Sequence, residues 1–384
     1  MDSALQHIAD QVRAAAASAT PLRIRGGGSK DFYGCSLQDD LLDTRVLTGI
    51  TSYEPSELVV TVRAGTPLAE LEAALAEEGQ CLPFEPPHFS GGAATVGGMV
   101  AAGLSGPARA SAGGVRDYML GLQLLNGRGE HLTFGGQVMK NVAGYDVSRL
   151  MVGAMGTLGV ITDVSLKVLP VAPAEATLVF ELDQSGALAQ LHRWGAQPLP
   201  LNASCWVHDD TPQTGNAGGG RNLLFVRLRG AVAAVEAACQ KMLQTAPGTR
   251  MDNAVAAPDW LACRDQRLPF FSTPPQQGML LWRLSVPQTA PVLDLPGSPL
   301  IEWHGGLRWL WAPPDAATQI QNVASQASGD ATVFIANHAH STRANGQFDS
   351  QSLLKPPLDA IHRRLKAEFD PAGIFNRGRL FADM

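Results

Sequence analysis

The sequence predicts an α+β protein of two domains, and its length and the distribution of two residue types support this class. The chain has 384 residues, which is more than one simple hydrophobic core usually holds. Of its 40 glycines, 24 lie between Gly26 and Gly159, whereas all seven tryptophans lie between Trp194 and Trp311. The predicted parts are a glycine-rich domain over 1–172, a tryptophan-bearing α+β domain with an antiparallel sheet over 173–345, and a C-terminal segment, 346–384, that returns to the first domain.

Local patterns place the elements of the first half. The Ala-rich stretch Ala4–Ala19 predicts a helix, and the β-branched run Glu57–Arg63 predicts a strand. A second helix follows, with Thr66 as its N-cap, Pro67 at its first helical position and Gly79 after its end. Further strands are predicted at Leu22–Arg25, Tyr118–Leu125, Glu130–Phe134 and Val160–Leu169, the middle two forming a hairpin around an Asn-Gly turn.

The second half carries fewer clear patterns. Strands are predicted at Thr177–Leu182, Leu223–Leu228 and Thr332–Ile335, and a helix at Ala231–Leu243. The Gly-rich stretch 211–220 predicts a loop, and the Pro-rich stretch 286–299 predicts irregular structure. Near the end, an amphipathic helix over Pro357–Phe369 stops before a proline.

Composition excludes several classes of function. The net charge of -6 comes without any basic tract, which argues against nucleic acid as a partner. No apolar run reaches the roughly 20 residues of a spanning helix, and the N-terminus has no secretory pattern. The five cysteines are scattered and form no CxxC, so we expect neither a metal site nor an iron–sulfur cluster, and a reducing cytoplasm fits best.

Four glycine-bearing segments of the first half carry the functional signal. In the first, Arg25–Lys30, three glycines let successive N–H groups turn into one hollow that holds an anion, with Arg25 and Lys30 adding charge. The other segments are Gly91–Gly106, Lys140–Asp146 and Gly153–Thr162. Together they predict the walls of a slot for a long, flat cofactor that carries phosphates. A Rossmann fingerprint fits poorly, because the GxxGxxG of the last segment leads into a strand and not into a helix.

These segments, in this order, resemble the FAD-binding domain of the vanillyl-alcohol-oxidase (PCMH) type. The resemblance covers residues 20–172. The stretches Gly97–Pro107, Gly114–Tyr118, Leu124–Glu130 and Phe369–Leu380 are more specific, and resemble the FAD-binding subunits of bacterial glycolate oxidases. The resemblance implies a two-subdomain FAD domain followed by a cap domain. It also implies oxidation of glycolate to glyoxylate, inside an assembly with a larger flavoprotein subunit and an iron–sulfur subunit that leads toward the respiratory chain.

The resemblance assigns the cofactor contacts residue by residue. The pyrophosphate would lie on the turn at Arg25, Gly26, Gly27, Gly28, Ser29 and Lys30. The phosphates and the flavin would meet Thr95, Gly97, Gly98, Gly103, Ser105, Gly106, Gly144, Gly156, Gly159, Val160 and Ile161. Some relatives attach FAD covalently through a His in the pyrophosphate loop. Here that loop carries Ser29, so we expect non-covalent FAD.

The residues that would oxidise a 2-hydroxy acid are harder to find. Such a reaction needs a cation for the carboxylate and a base for the hydroxyl proton. Related enzymes carry a His-x-Gly-Asp-Gly motif in the second domain, and this sequence lacks it. The candidates are His338 and His340, which would share one face of a strand, and Arg308, which could equally stack on neighbouring tryptophans.

Three readings follow from these patterns. The chain is a catalytic flavoprotein with its own substrate pocket, or a flavin-bearing subunit that relays electrons or stabilises the assembly, or a nucleotide-binding protein without redox work. The missing His motif favours the second reading over the first. In each case we expect any membrane contact to be peripheral and made through partner subunits.

Overall fold

The structure is a computed structural model that describes residues 2–34, 39–136, 146–209, 220–335 and 356–381. The chain divides into two compact units. The first unit takes residues from 1–105, 113–171 and 341–384, and the second takes residues from 106–112 and 172–340. The short stretch 106–112, which lies within the glycine-rich half of the sequence, therefore packs as part of the second unit.

The described helices are α1 (Ser3–Ser18), α2 (Leu68–Glu77), α3 (Val96–Ala102), α4 (Arg109–Ala112), α5 (Val115–Tyr118), α6 (Val147–Leu150), α7 (Gln184–Gly195), α8 (Val232–Thr245), α9 (Asn253–Arg264), α10 (Pro269–Ser272), α11 (Ala317–Gln326) and α12 (Leu358–Phe369). The described strands are β1 (Leu22–Arg25), β2 (Asp40–Asp43), β3 (Ile50–Glu54), β4 (Val59–Arg63), β5 (Gln80–Cys81), β6 (Met119–Leu125), β7 (His131–Gly135), β8 (Val160–Lys167), β9 (Leu169–Pro170), β10 (Ala174–Glu181), β11 (Leu201–Asp209), β12 (Arg221–Gly230), β13 (Gly248–Met251), β14 (Leu280–Ser285), β15 (Leu300–Glu302), β16 (Leu307–Ala312) and β17 (Asp330–Ile335).

The first unit is organised by a five-stranded antiparallel sheet, in the order β3-β4-β8-β6-β7. Helices α2 and α3 pack on this sheet through buried residues such as Leu71, Leu75 and Met99. A smaller core joins α1 to the parallel pair β1-β2 through Ile8, Val12 and other buried apolar side chains. The two cores hold the glycine-bearing turns at the ends of their strands and helices.

The second unit is an eight-stranded sheet in the order β13-β10-β12-β11-β15-β16-β14-β17, and its paired strands are antiparallel. Helices α7, α8 and α11 bury one face of the sheet. On the opposite face, Trp260 of α9 donates from Nε1 to Thr177 Oγ1 at 2.9 Å, and Phe271 of α10 packs on Trp309. The predicted α+β class and the antiparallel sheet of the second half are confirmed.

The C-terminal segment is tied to the first unit by a buried carboxylate. Asp370 is 1% exposed, and its oxygens accept hydrogen bonds from the backbone N–H groups of Ile374 and Phe375 and from Lys366 Nζ at 2.7 Å. Lys366 also donates to the carbonyl oxygens of Thr157 and Phe375, both at 2.8 Å. Burial lowers the pKa of the Lys366 ammonium, and the Asp370 carboxylate opposes that shift. The pair joins the end of α12 to the last glycine segment.

One local expectation differs from the structure. Pro67, and not Thr66, is the N-cap of α2. The Thr66 hydroxyl is fully buried and accepts a hydrogen bond from Gly49 N at 2.9 Å, so it serves a loop. The predicted hairpin around the Asn-Gly turn is present, with β6 and β7 paired and Asn126 N bonded to Glu130 O.

We predict that Asp370→Ala lowers the free energy of unfolding by about 3 kcal/mol, because it leaves the Lys366 charge buried without its partner. Urea unfolding followed by circular dichroism measures the loss. The matched control is Asp10→Ala, which removes an exposed ion pair with Arg13 and should cost less than about 1 kcal/mol. Equal losses in the two variants would contradict the prediction.

Candidate functional site

The first glycine turn leaves a row of backbone donors available. It follows β1, and Gly28 has a φ of +73°. The N–H groups of Gly27, Gly28 and Ser29 donate no hydrogen bond to any residue that the structure describes. Successive N–H groups left open in a tight turn form an anion-binding hollow. The Arg25 guanidinium folds back over this turn and pairs with Asp31 at 2.7 Å.

The turn packs directly against the second glycine segment. A Cβ atom placed on Gly27 would overlap the carbonyl oxygen of Ala93, and one placed on Gly26 would overlap the Thr95 hydroxyl. Thr95 is the N-cap of α3, and its Oγ1 accepts a hydrogen bond from Gly98 N at 3.2 Å. Glycine is therefore required at these two positions for the backbones to approach each other, and not only for the shape of the turn.

The second segment is fixed to the sheet and to the fourth segment by backbone contacts. Gly97 N donates to Ala64 O at 2.7 Å, and a Cβ on Gly97 would lie 2.7 Å from Ala64 Cβ. At the other end of α3, a Cβ on Gly103 would lie 3.0 Å from Gly153 N. Three of the four predicted segments thus meet in the first unit. The remaining one, over residues 140–146, lies outside the described residues except for Asp146.

A buried hydroxyl near this junction lacks a partner. Ser105 Oγ is shielded from solvent and makes no hydrogen bond with the described residues. A buried hydroxyl without a partner is costly, and in a native protein it commonly marks a place where another group binds. Ser105 is one of the residues predicted to lie along the cofactor, and that placement stays a prediction.

The C-terminal segment joins the first and fourth segments through Asn376. Its Oδ1 accepts a hydrogen bond from Ile24 N at 2.8 Å, and its Nδ2 donates to Met155 O at 2.6 Å. Gly156, with a φ of +71°, lies against this amide, since a Cβ there would approach Asn376 Nδ2 to 2.6 Å. One side chain thus fixes the strand before the phosphate turn to the turn of the last segment.

The other residues that were predicted to contact the cofactor or the substrate lie in different parts of the structure. Val160 and Ile161 pair with Leu125 and Leu124 in the sheet and are buried in the core of the first unit. Gly106 belongs to the second unit. The predicted residues that lie outside the described ranges are Gly144, His338 and His340.

In the second unit, a strained turn at Trp303 holds the stretch 106–112. Three successive residues, Trp303, His304 and Gly305, have φ angles of 54°, 55° and 102°. Trp303 Nε1 donates to Gly106 O at 2.9 Å, and His304 Nε2 lies 3.0 Å from Ser111 Oγ. Non-glycine residues in this region cost about 1–3 kcal/mol each, and such strain concentrates at functional sites. The sequence signal that could have found this turn is the Gly-Gly pair after His304.

His304 is held as a neutral ring. Its backbone N–H donates to Ser204 Oγ at 3.0 Å, and its Nδ1 lies 3.0 Å from the same hydroxyl. Burial lowers the pKa of His304 to about 4. Both ring nitrogens therefore face serine hydroxyls and no carboxylate among the described residues, so the ring carries no charge near neutral pH.

Arg308, a candidate for the substrate carboxylate, serves the backbone instead. It is fully buried, and its guanidinium donates to the carbonyl oxygens of Pro291 at 2.8 Å, Ala290 at 3.0 Å and Gly305 at 3.4 Å. Burial lowers its pKa to about 10. Each of its three nitrogens thus donates to a backbone carbonyl oxygen, and Arg308 holds the Pro-rich stretch against the sheet.

The geometry of the first unit fits a dinucleotide cofactor. Open backbone donors, glycine positions that no Cβ could occupy and a buried hydroxyl without a partner all lie in the segments predicted to line the slot. The family model for the FAD binding domain matches residues 4–135. The fold and the site together define an FAD-binding flavoprotein of the vanillyl-alcohol-oxidase type.

Comparison with known proteins identifies the family to which the chain belongs within this class. The chain is 44% identical over 379 residues to the glycolate oxidase subunit GlcE of Escherichia coli K12, spanning 99% of this chain and 98% of that protein. It therefore belongs to the GlcE family. It is also 30% identical over 172 residues to the glycolate oxidase subunit GlcD of Bacillus subtilis, which is 44% of this chain and 36% of that protein. Among solved structures, an alkyldihydroxyacetonephosphate synthase superposes with a TM-score of 0.64, covering 96% of this chain and 74% of that one at 16% identity, which is a likeness of fold alone.

We predict that Gly27→Ala weakens FAD binding about tenfold or more, because the new methyl group overlaps the Ala93 carbonyl and forces a shift costing about 1–3 kcal/mol. The dissociation constant follows from flavin fluorescence during titration of the apoprotein. Gly136→Ala is the control, since no atom of the described residues lies within 4 Å of the added Cβ. Wild-type affinity in the Gly27→Ala variant would refute the close approach.

A second prediction concerns acid stability. Because the folded pKa of His304 is about 4 and the unfolded value is about 6.5, the unfolded state binds more protons between these values, and stability falls as the pH drops through this window. His304 then contributes a loss of about 2 to 3 kcal/mol between pH 7 and pH 4.5.

Urea unfolding at the two pH values measures this loss. His304→Gln should remove that part of the pH dependence. His208→Gln, which alters another hydrogen-bonded His of the second unit, should keep it. An unchanged pH dependence in His304→Gln would show that the ring is not held neutral.

Proposed function

We propose that this chain is the FAD-bearing GlcE-type subunit of a glycolate oxidase that converts glycolate to glyoxylate. The observation that carries the proposal is the identity of 44% across 99% of the chain, so that both units are shared with the glycolate oxidase subunit. The slot in the first unit agrees with it, because a redox role needs a site for the cofactor. Bound FAD supplies the hydride acceptor, and the protein supplies binding and orientation.

The residues that would hold FAD follow from the geometry. The open N–H groups of Gly27, Gly28 and Ser29 would bind the pyrophosphate. The Ser105 hydroxyl would find its missing partner on the cofactor. The attachment would be non-covalent, because Ser29 offers no nucleophile of the kind that a His provides, and the nearby His88 is engaged with Glu72 at 2.8 Å.

The partners that we propose are a GlcD-like flavoprotein and a GlcF-like iron–sulfur subunit, with electrons passing to the latter. The partial identity to a GlcD protein suggests that two related flavoproteins work together. No helix in the described part of the chain is long and apolar enough to cross a bilayer. We propose that membrane contact, where it occurs, is made by the partners.

A second candidate function is a flavin-bearing relay or structural subunit without a substrate site of its own. The observation that favours it is the absence of a His-x-Gly-Asp-Gly motif from the sequence. In that case the GlcD-like partner would oxidise glycolate, and this chain would only pass electrons or stabilise the assembly.

The test compares the isolated chain with the assembled complex. We expect the purified chain to be yellow and acid precipitation to release its flavin to the supernatant. We expect glycolate-dependent dye reduction by the three-subunit complex, and its loss when this chain is omitted. A colourless chain, or full activity without it, would refute the proposal.

Anaerobic glycolate separates the two candidates. Bleaching of the flavin band in the isolated chain supports a substrate site in this subunit. Bleaching of this flavin only after the GlcD-like partner is added supports the relay.

A further inference from the structure

Resting on the proposed function, we propose that Arg283 and Thr332 form a carboxylate subsite for a small 2-hydroxy acid within this chain. The two residues lie directly opposite each other on neighbouring strands β14 and β17. Opposite residues of an antiparallel pair have Cβ atoms about 5 Å apart and share a face of the sheet. Both side chains therefore leave the same face of the sheet from neighbouring positions.

Arg283 differs from the other shielded arginines of the second unit. Arg308 is held by three carbonyl oxygens, Arg227 donates to Asn202 at 2.7 Å, and Arg229 pairs with Glu175 at 2.5 Å. Arg283 is half-buried, yet it makes no hydrogen bond or ion pair with the described residues. None of its guanidinium nitrogens is a buried atom without a partner, so the fork reaches solvent, where its five N–H donors are available to an anion.

The position of Arg283 is fixed without using its donors. Its guanidinium carbon lies 5.4 Å from the ring centroid of Trp303, and that of Arg109 lies 4.6 Å from the same centroid. A cation–π contact of this kind uses the face of the ring and none of the N–H donors. Trp303 therefore restricts where the Arg283 side chain can lie.

Thr332 adds a neutral donor. It is half-buried, and its hydroxyl makes no hydrogen bond with the described residues. The planar guanidinium fork matches the two oxygens of a carboxylate, and charge-assisted hydrogen bonds of this type are about twice as strong as neutral ones. The ligand class that this pair fits is a small monocarboxylate, and glycolate is the member that the proposed function supplies.

The acidic residue on the same face of the sheet is committed to other donors. Glu302 is buried, with its carboxylate oxygens accepting from Cys263 Sγ at 2.6 Å and from Trp309 Nε1 at 2.9 Å.

The test uses the FAD-loaded chain and the assembled complex, with glycolate and the uncharged glycolamide as probes. Isothermal titration gives the dissociation constant of each probe, and steady-state dye reduction separates KM from kcat. The ratio of the affinities for glycolate and glycolamide reports recognition of the carboxylate. A merely structural role of Arg283 would not change this ratio.

We expect Arg283→Gln to weaken glycolate binding and raise its KM by about 10- to 100-fold, with little change for glycolamide. Arg283→Lys should give a smaller loss, because it keeps the charge without the fork. Thr332→Val, which is close to isosteric, should weaken glycolate about 3- to 10-fold. Arg250→Gln is the control: it removes an exposed positive charge that pairs with Glu236 and should stay within twofold of wild type.

An unchanged preference for glycolate over glycolamide in Arg283→Gln would overturn the subsite. Circular dichroism and FAD content show whether Arg283→Gln folds. If it does not fold, Arg283→Lys and Thr332→Val take its place in the test. A wild-type preference for glycolate over glycolamide in both of these variants would overturn the subsite. Failure of wild type to bind glycolate either alone or in the complex also overturns it. A complex that oxidises glycolate while these variants behave as wild type refutes only the subsite. A complex without glycolate oxidation refutes the proposed function itself.

Discussion

The first unit depends on one steric constraint, which is the contact between two stretches of backbone at Gly27 and Ala93. No side-chain atom fits between them. The contact sets the turn after β1 against the residues that lead into α3, and it leaves the turn's N–H groups pointing away from any described acceptor. The same turn thus combines a close backbone contact with the open N–H groups that, in our proposal, bind the pyrophosphate.

The constraint is maintained from the far end of the sequence. Asn376 joins Ile24 to Met155, and the buried pair of Lys366 and Asp370 fixes the segment that carries Asn376. Buried polar groups of this kind are costly unless every member is satisfied, and here each has partners. The C-terminal segment is therefore a structural part of the first unit. It holds two glycine turns in place, because the turns themselves contain few side chains that could make such contacts.

The sequence predicted the first unit better than the second for a physical reason. Glycine turns, β-branched strands and an Asn-Gly hairpin are local signals, and the antiparallel sheet that they flank is present. Thr66 was misassigned because its hydroxyl serves a loop rather than the helix that follows it. In the second unit, Arg308 was a candidate for the substrate carboxylate, but the fold surrounds its guanidinium with carbonyl oxygens, and no local pattern encodes that. The same holds for the positive φ angles at Trp303 and His304, which only tertiary contacts can impose.

The two candidate roles of this subunit place opposite demands on the second unit. A relay needs a stable fold and no open charge, and natural sheets usually satisfy or expose their arginines, as Arg227 and Arg250 illustrate. A substrate site needs an arginine that is shielded, rigid and left without an internal acceptor. In our proposal Arg283 meets the second description, because its guanidinium carbon lies 5.4 Å from the Trp303 ring centroid and its donors have no acceptor among the described residues. The absence of the usual His motif therefore argues against one way of removing the hydroxyl proton, and it does not argue against binding of the acid, since the two tasks require different residues.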